Sequence, residues 1–193
     1  HQLYPYQRVG ARFLRERQRA LLCDECGLGK TLQTIVAVES SGPPGDVLVL
    51  CLNSLKSTWL EELNKWAAYD TPVTVFDSAD REEQIADFTG GWAIVNYRQF
   101  LLDNKFVEAH PSRPTDWKVT QGNWILRRHW DWVICDEAHK VKNRKTKTYA
   151  VLKELDFDNA LMLTGTPMGN DPSELWALLH FLYPEEYTSY WRF

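Results

Sequence analysis

The segment Asp24-Glu25-Cys26-Gly27-Leu28-Gly29-Lys30-Thr31 carries the first chemistry of this chain. It is a glycine-rich loop ending in Lys-Thr, with an apolar run, Ala20-Leu21-Leu22-Cys23, before it and a helical pattern after it. A loop between a strand and a helix aims backbone N–H groups and the helix N-terminus at bound phosphates. There Lys30 would neutralise the β- and γ-phosphates and the Thr31 hydroxyl would reach Mg²⁺. Asp24 stands where the general pattern has its first glycine, so the loop alone also fits an ordinary turn before a helix.

A second string, Asp136-Glu137-Ala138-His139, follows the apolar run Trp132-Val133-Ile134-Cys135. An Asp on the metal side followed by a Glu that polarises water is the other half of a nucleotide-hydrolysing site. By itself the pair also fits a helix N-cap. Both strings end an apolar strand, and ligands of open α/β sheets bind at the carboxyl ends of strands. The expected ligand is ATP, held by Asp24 through Thr31. Thr31 and Asp136 would hold Mg²⁺, Asp136 through water. Lys30, Asp136 and Glu137 are the expected catalytic residues.

The elements that must position these groups follow from periodicity. Leu3 to Arg19 reads as an amphipathic helix with Pro5 in its first turn. Its inner side is expected to be Tyr6, Val9, Phe13 and Leu14, and its outer side Arg8, Arg12, Arg15 and Arg19. A helix from about Lys30 to Glu39 ends at the breaker run Ser40 to Gly45. Val47 to Cys51 is a continuous apolar run, as in a strand buried on both faces. Ser54 is placed to N-cap a helix running to about Trp66. Strands follow at Val73–Phe76 and Trp92–Val95, with a short helix, Arg81 to Phe88, between them. Residues 103–131 read as an irregular insertion with a small hairpin near Gln121-Gly122-Asn123. Beyond it come the strand Trp132–Cys135, a helix from about Thr146 to Leu155, and the strand Asn159–Leu163. A last helix, capped by Asp171-Pro172-Ser173-Glu174, runs through Leu182. Alternation of this kind predicts an α/β fold, a mostly parallel sheet with helices on both faces.

The chain has 193 residues, enough for one α/β domain and too few for two. A net charge of −4 gives no global attraction to nucleic acid, so such binding must use local patches. No run suggests a membrane span and no start suggests a signal peptide. Because it begins at His1 rather than Met, we expect it to be part of something longer. Cys23 and Cys26 form a C-x-x-C, which invites a zinc or redox reading. Structural zinc wants two paired ligand clusters, however, and Cys51 and Cys135 are each single. Cys23, Cys51 and Cys135 are therefore expected in the core and Cys26 beside the nucleotide. Free thiols imply a reducing compartment.

Several strings, in order, resemble the ATPase motor of the Swi/Snf-type chromatin-remodelling family within helicase superfamily two. Leu3-Tyr4-Pro5-Tyr6-Gln7 resembles its adenine-reading segment, with Gln7 as the base contact. Asp24 to Thr31 resembles its phosphate loop, with Cys26 where Met is usual. Cys51 through Trp59 and Asn96-Tyr97 resemble two further motifs, with Leu52 in place of the usual Pro. Asp136 through Asn143 resembles the Asp-Glu-Ala-His segment with its basic tail. Leu163-Thr164-Gly165-Thr166-Pro167, continuing to Glu174-Leu175-Trp176 and Leu178, resembles the third motif, with Gly169 where Gln is usual. The resemblance implies a RecA-like P-loop NTPase lobe over residues 1–193. It also implies a partner, the second RecA-like lobe with its arginine finger, which is absent from this chain. His139, Thr164, Gly165 and Thr166 would then relay the phosphate state to lobe motion.

Lys140, Lys142, Arg144, Lys145 and Lys147 form a basic run with no acid. Such a run is usually a solvated loop. Placed directly after the carboxylates, it suggests instead that Lys140, Lys142, Asn143 and Arg144 contact a phosphate backbone, supported by Ser54, Leu55, Lys56, Asn96 and Tyr97. Such contacts are blind to sequence and sensitive to salt. Three functions follow: a DNA-dependent ATPase translocating on double-stranded DNA, a strand-separating DNA or RNA helicase, or a nucleotide-gated module without turnover. The expected location is the cytoplasm for a bacterial or phage source (there the host's) and the nucleus for a eukaryotic one.

Overall fold

The computed structural model describes residues 3–108, 117–167 and 173–193. Six strands form one sheet in the order β1-β8-β7-β2-β4-β3, and every pairing in it is parallel. The strands are β1 (Arg19–Leu22), β2 (Val47–Cys51), β3 (Val73–Val75), β4 (Trp92–Asn96), β7 (His129–Asp136) and β8 (Asp156–Leu163). The helices are α1 (Pro5–Arg17), α2 (Lys30–Glu39), α3 (Lys56–Trp66), α4 (Arg81–Asp87), α5 (Tyr97–Leu101), α6 (Lys147–Leu152) and α7 (Ser173–Leu182).

Side-chain alternation divides the core into two halves. Val47, Val49, Cys51, Ile134, Leu161 and Leu163 pack with Leu14 of α1, Ile35 and Val38 of α2, and Trp59 and Leu63 of α3. Leu48, Leu50, Val133, Cys135 and Met162 pack with Phe100 of α5, Val151 of α6, and Leu178 and Phe181 of α7. Helices therefore cover both faces. Asp136, two residues beyond Ile134, falls on the α1–α3 face.

Five expectations need correction. The buried face of α1 is Gln7, Ala11 and Leu14, while Tyr6, Val9 and Phe13 are exposed. Gly10 and Ala11 let α2 approach closely between Gln7 and Leu14, while Tyr6, Val9 and Phe13 face out. Arg19 leaves the helix and opens β1. Ser54 caps nothing: it lies in a 3₁₀ turn, Asn53–Leu55, and α3 starts at Lys56 behind Leu55. The insertion is more regular than its composition suggests. An antiparallel pair, β5 (Lys105–Glu108) and β6 (Trp117–Gln121), is joined through 109–116, outside the described residues, so Gln121 ends a strand rather than making the turn. Cys23 is exposed because β1 stops at Leu22; Cys51 and Cys135 are buried as expected. Gly169, Asp171 and Pro172 also lie outside the described residues.

Candidate nucleotide site and DNA-facing edge

Register brings the two halves of the site to one edge. Leu22 of β1 pairs with Leu163 of β8, and Leu163 pairs with Asp136 of β7. The loops after β1, β8 and β7 thus leave the sheet at one level. At about 4.8 Å per strand, the ends of β1 and β7 lie about 10 Å apart, a span a triphosphate with its metal can bridge.

Gly27 and Gly29 take φ of 86° and 74°, left-handed values that glycine adopts freely. Gly29 is the N-cap of α2 and supplies no side chain, so the amides of the first turn are left to a ligand. Lys30 Nζ donates to the carbonyls of Asp24 (2.7 Å) and Glu25 (3.1 Å), which holds the ammonium inside the loop. The half-buried Thr31 follows it. Gln33, fully buried on the next turn, donates from Nε2 to Asp24 Oδ2 (2.9 Å) and to the Leu28 carbonyl (3.2 Å). The loop is therefore braced from its own helix. Gln7 braces it from α1, donating to the Leu28 carbonyl at 3.4 Å and accepting from the Tyr4 N–H. Cys26 is exposed, and a Cβ on Gly165 would lie 3.3 Å from its sulfur. The Thr164-Gly165-Thr166 turn thus rests on the phosphate loop. Thr164 is buried, its N–H bonded to the Leu22 carbonyl and its hydroxyl accepting from the Thr166 N–H.

Asp136 is held at three points. Oδ2 accepts from Trp59 Nε1 (2.8 Å), Oδ1 from the Glu137 N–H (2.8 Å), and its carbonyl from the Tyr97 hydroxyl (2.7 Å). Burial pushes its carboxyl upward; the bonds from Trp59 and Glu137 and the charge of Lys30 oppose that rise. Glu137 sits at φ 50°, ψ 49°, a conformation costing a non-glycine residue about 1 kcal/mol or more. His139 Nδ1 lies 3.0 Å from Glu137 Oε2, ion-pair distance for a protonated ring though off the hydrogen-bonding direction.

The residues expected at DNA divide by exposure. Ser54, Lys140 and Asn143 are exposed, while Leu55, Asn96, Tyr97, Lys142 and Arg144 are half-buried. Lys142 pairs with Glu174 at 2.8 Å, and the Arg144 guanidinium stands 4.1 Å above the Tyr190 ring. Asn96 caps α5 through the Gln99 N–H. Lys56 is the departure. It is buried, and its ammonium donates to the Phe76 carbonyl and, at 3.5 Å, to Gln99 Oε1. Burial lowers its pKa first of all. In this arrangement it is a tie inside the fold and not a phosphate contact.

The profile of the SNF2-related domain matches residues 6–193. The chain belongs to the SNF2-related family. Its SNF2 relatives include the ISWI chromatin-remodeling complex ATPase ISW1 of Saccharomyces cerevisiae, 34% identical over 97% of this chain and 16% of the yeast protein. Human chromodomain-helicase-DNA-binding protein 8 is 33% identical over 98% of this chain and 8% of its own length. The chain therefore spans under a fifth of these relatives. Among solved SNF2 structures, the Sulfolobus solfataricus SWI2/SNF2 ATPase core in complex with dsDNA is 30% identical, with a TM-score of 0.80 over 100% of this chain and 38% of that one. The same core domain in a second structure gives a TM-score of 0.72 at 29% identity. The RecA-like lobe expected from the sequence is thus established as the fold. Among the described residues no helix is long and apolar enough to cross a membrane.

Sequence reasoning missed three supporting contacts: Gln33 reads only as a helix residue, Trp59 only as the end of a motif-like stretch, and Tyr97 only as a motif residue and DNA contact. The N-x-x-Q spacing of Asn96 and Gln99 was a legible capping box. It would have disclosed α5 and the inward aim of Tyr97.

Proposed function

We propose that this chain is the ATP-binding first lobe of a DNA-dependent ATPase that couples hydrolysis to movement along double-stranded DNA. The observation that carries the reading is the shared edge: a braced phosphate loop, a buried carboxylate in register with it across β8, and exposed polar residues on the neighbouring loops. Duplex DNA is favoured over a single strand because the Sulfolobus core, to which the chain is similar along its whole length, is described with dsDNA.

The residues fit a magnesium triphosphate. Left-handed Gly27 has nothing within 4 Å of where a Cβ would be, which leaves room in the loop for phosphate oxygens. A carboxylate has about four acceptor sites, so Asp136 keeps capacity after its two bonds. Mg²⁺ keeps several waters and takes one or two carboxylates plus phosphates rather than an all-protein cage. Bound there with Thr31 and Asp136, it would offset phosphate charge.

The remaining work falls to the chain's own groups. Lys30 exchanges its bonds to the Asp24 and Glu25 carbonyls for phosphate oxygens. Glu137 orients and deprotonates the attacking water, and His139 beside it belongs to the relay from phosphate state to lobe motion. Gln7 contacts the adenine. The Thr164–Thr166 turn reports the filled loop to the second lobe, which would supply the arginine. Ser54, Leu55, Asn96, Lys140 and Asn143 meet the phosphate backbone.

The test compares ATP turnover by the protein carrying both lobes with duplex, single-stranded DNA and RNA. Stimulation by duplex without strand separation supports the reading. Preference for a single strand, with unwinding, would replace translocation by helicase action. Absence of turnover under all conditions would leave a nucleotide-gated binding module.

A further inference from the structure

Along the carboxyl edge the strand order is β1-β8-β7-β2-β4. The phosphate-loop and carboxylate residues follow the first three; of the proposed DNA contacts, Ser54, Leu55 and Asn96 lie at the ends of the last two, and Lys140 and Asn143 follow Asp136 itself after β7. Asp136, at the end of β7, stands between these groups, and it is bonded by Trp59 of α3, which follows β2, and by Tyr97 of α5, which follows β4.

Trp59 is 1% exposed, and its indole N–H, 2.8 Å from Asp136 Oδ2, is the polar atom of a side chain otherwise sunk in the core. It lies on α3, whose leading turn is Asn53–Leu55. Tyr97 opens α5, directly after Asn96, and its hydroxyl bonds the Asp136 carbonyl. The two loops are also tied to each other. Asn96 Nδ2 donates to Asn53 Oδ1 at 3.0 Å, and Lys56 approaches Gln99 Oε1. Gln99 in turn pairs with Asn96 in the capping box.

We infer that Trp59 and Tyr97 are positioning residues for Asp136. The loops after β2 and β4 act on it as one body, so a phosphate backbone seated across Ser54 and Asn96 changes how the carboxylate meets its metal. The inference rests on the proposed role of Asp136. Its physical basis is that groups behind a carboxylate fix its orientation toward a metal or toward the metal's water; behind a direct ligand, losing one typically costs about 10–100-fold in metal affinity, the upper bound for Asp136 if it acts through water. Truncating the indole N–H also leaves a buried carboxylate oxygen without its donor, which invites a different rotamer.

The test is the Mg²⁺ dependence of fluorescent ATP-analogue binding, measured with and without duplex DNA. Wild-type protein, Trp59→Phe, Tyr97→Phe and Asp136→Asn are compared, and each binding curve is repeated in EDTA. Trp59→Phe should raise the half-saturating Mg²⁺ by about tenfold while EDTA binding stays at the wild-type level. A merely structural defect would weaken both. Duplex should shift the wild-type half-saturation, and that shift should shrink in both aromatic variants. Tyr97→Phe removes a single hydroxyl and keeps the test available if Trp59→Phe does not fold. Unchanged Mg²⁺ dependence in the aromatic variants, with Asp136→Asn impaired, would overturn the inference. So would a duplex shift that survives in them. An unimpaired Asp136→Asn would instead remove the metal role on which the inference rests.

Discussion

Gly10→Ala is the sharpest test of how the phosphate loop is braced. Gly10 lies mid-helix in α1, where alanine would ordinarily add about 1 kcal/mol of stability. Here the new Cβ would overlap Gln33 Oε1 and stand 2.9 Å from Gln33 Cδ. Gln33 has no room to yield: it is fully buried, and its Nε2 is engaged by Asp24 Oδ2 and the Leu28 carbonyl. Overpacking a tight core costs about 1–3 kcal/mol, and each displaced hydrogen bond about 0.5–1.5 kcal/mol. After the helix gain, a net loss of about 2 kcal/mol remains, or about 4–8 °C in Tm for a chain of this size. Thermal unfolding monitored by circular dichroism measures it. In a Gln33→Ala background the obstruction is gone, so Gly10→Ala should become neutral or stabilising there. Nucleotide affinity should fall with Gly10→Ala, because Gln33 holds the loop. If Gly10→Ala stabilises the protein in both backgrounds, the α1–α2 seam is not packed as described.

In the protein with both lobes, Glu137→Gln should lower turnover by about 10²–10⁴-fold with ATP binding intact; unchanged turnover would remove Glu137 from its role. This chain alone should hydrolyse ATP negligibly, since an arginine finger is worth about 10³–10⁵ in rate, and brisk turnover by it would refute the two-lobe reading. Alkylating the exposed Cys26 should impede nucleotide binding, as measured by titration of a fluorescent analogue, and full affinity after modification would place Cys26 outside the pocket. Two histidines give opposite pH signatures in stability. Burial lowers the pKa of His180, so the unfolded chain takes up its proton first and stability falls as pH drops below about 6.5; that fall should be shallower in His180→Asn. Bonds to Asp156 and then Asp158 raise His129, so its contribution is complete below pH 6.5 and fades as pH climbs through the raised value; His129→Gln should lose that fade in denaturant unfolding.

Much of the fold was legible because its signals were local. The unbroken apolar runs ending at Cys51 and Cys135 could only be buried parallel strands, and α2 begins and ends where the Gly-Lys-Thr loop and the Ser-Gly-Pro breaker place it. The meeting of residues 24–31 and Asp136 at one sheet edge was legible for the same reason: each follows a strand whose apolar run shows in the composition. What escaped depends on partners distant in sequence. The seam of α1 is chosen by Gln33 entering over Gly10, so hydrophobicity alone picked its outer face. Lys56 looks like a surface cation until the Phe76 carbonyl and Gln99, 20 and 43 residues away, are seen to hold it. Trp59 and Asp136 are separated by 77 residues, and no periodicity links an indole to a carboxylate. The arrangement after Asp136 was least legible, since a basic run does not reveal which of its members Glu174 or Tyr190 has already engaged.

The most direct test is a crystal structure of this chain with Mg²⁺ and a non-hydrolysable ATP analogue. The metal is predicted between the Thr31 hydroxyl and the Asp136 carboxylate, with Lys30 turned from the Asp24 and Glu25 carbonyls onto the outer phosphates. A nucleotide bound with its phosphates away from residues 24–31, or a metal out of reach of Asp136, would contradict the account.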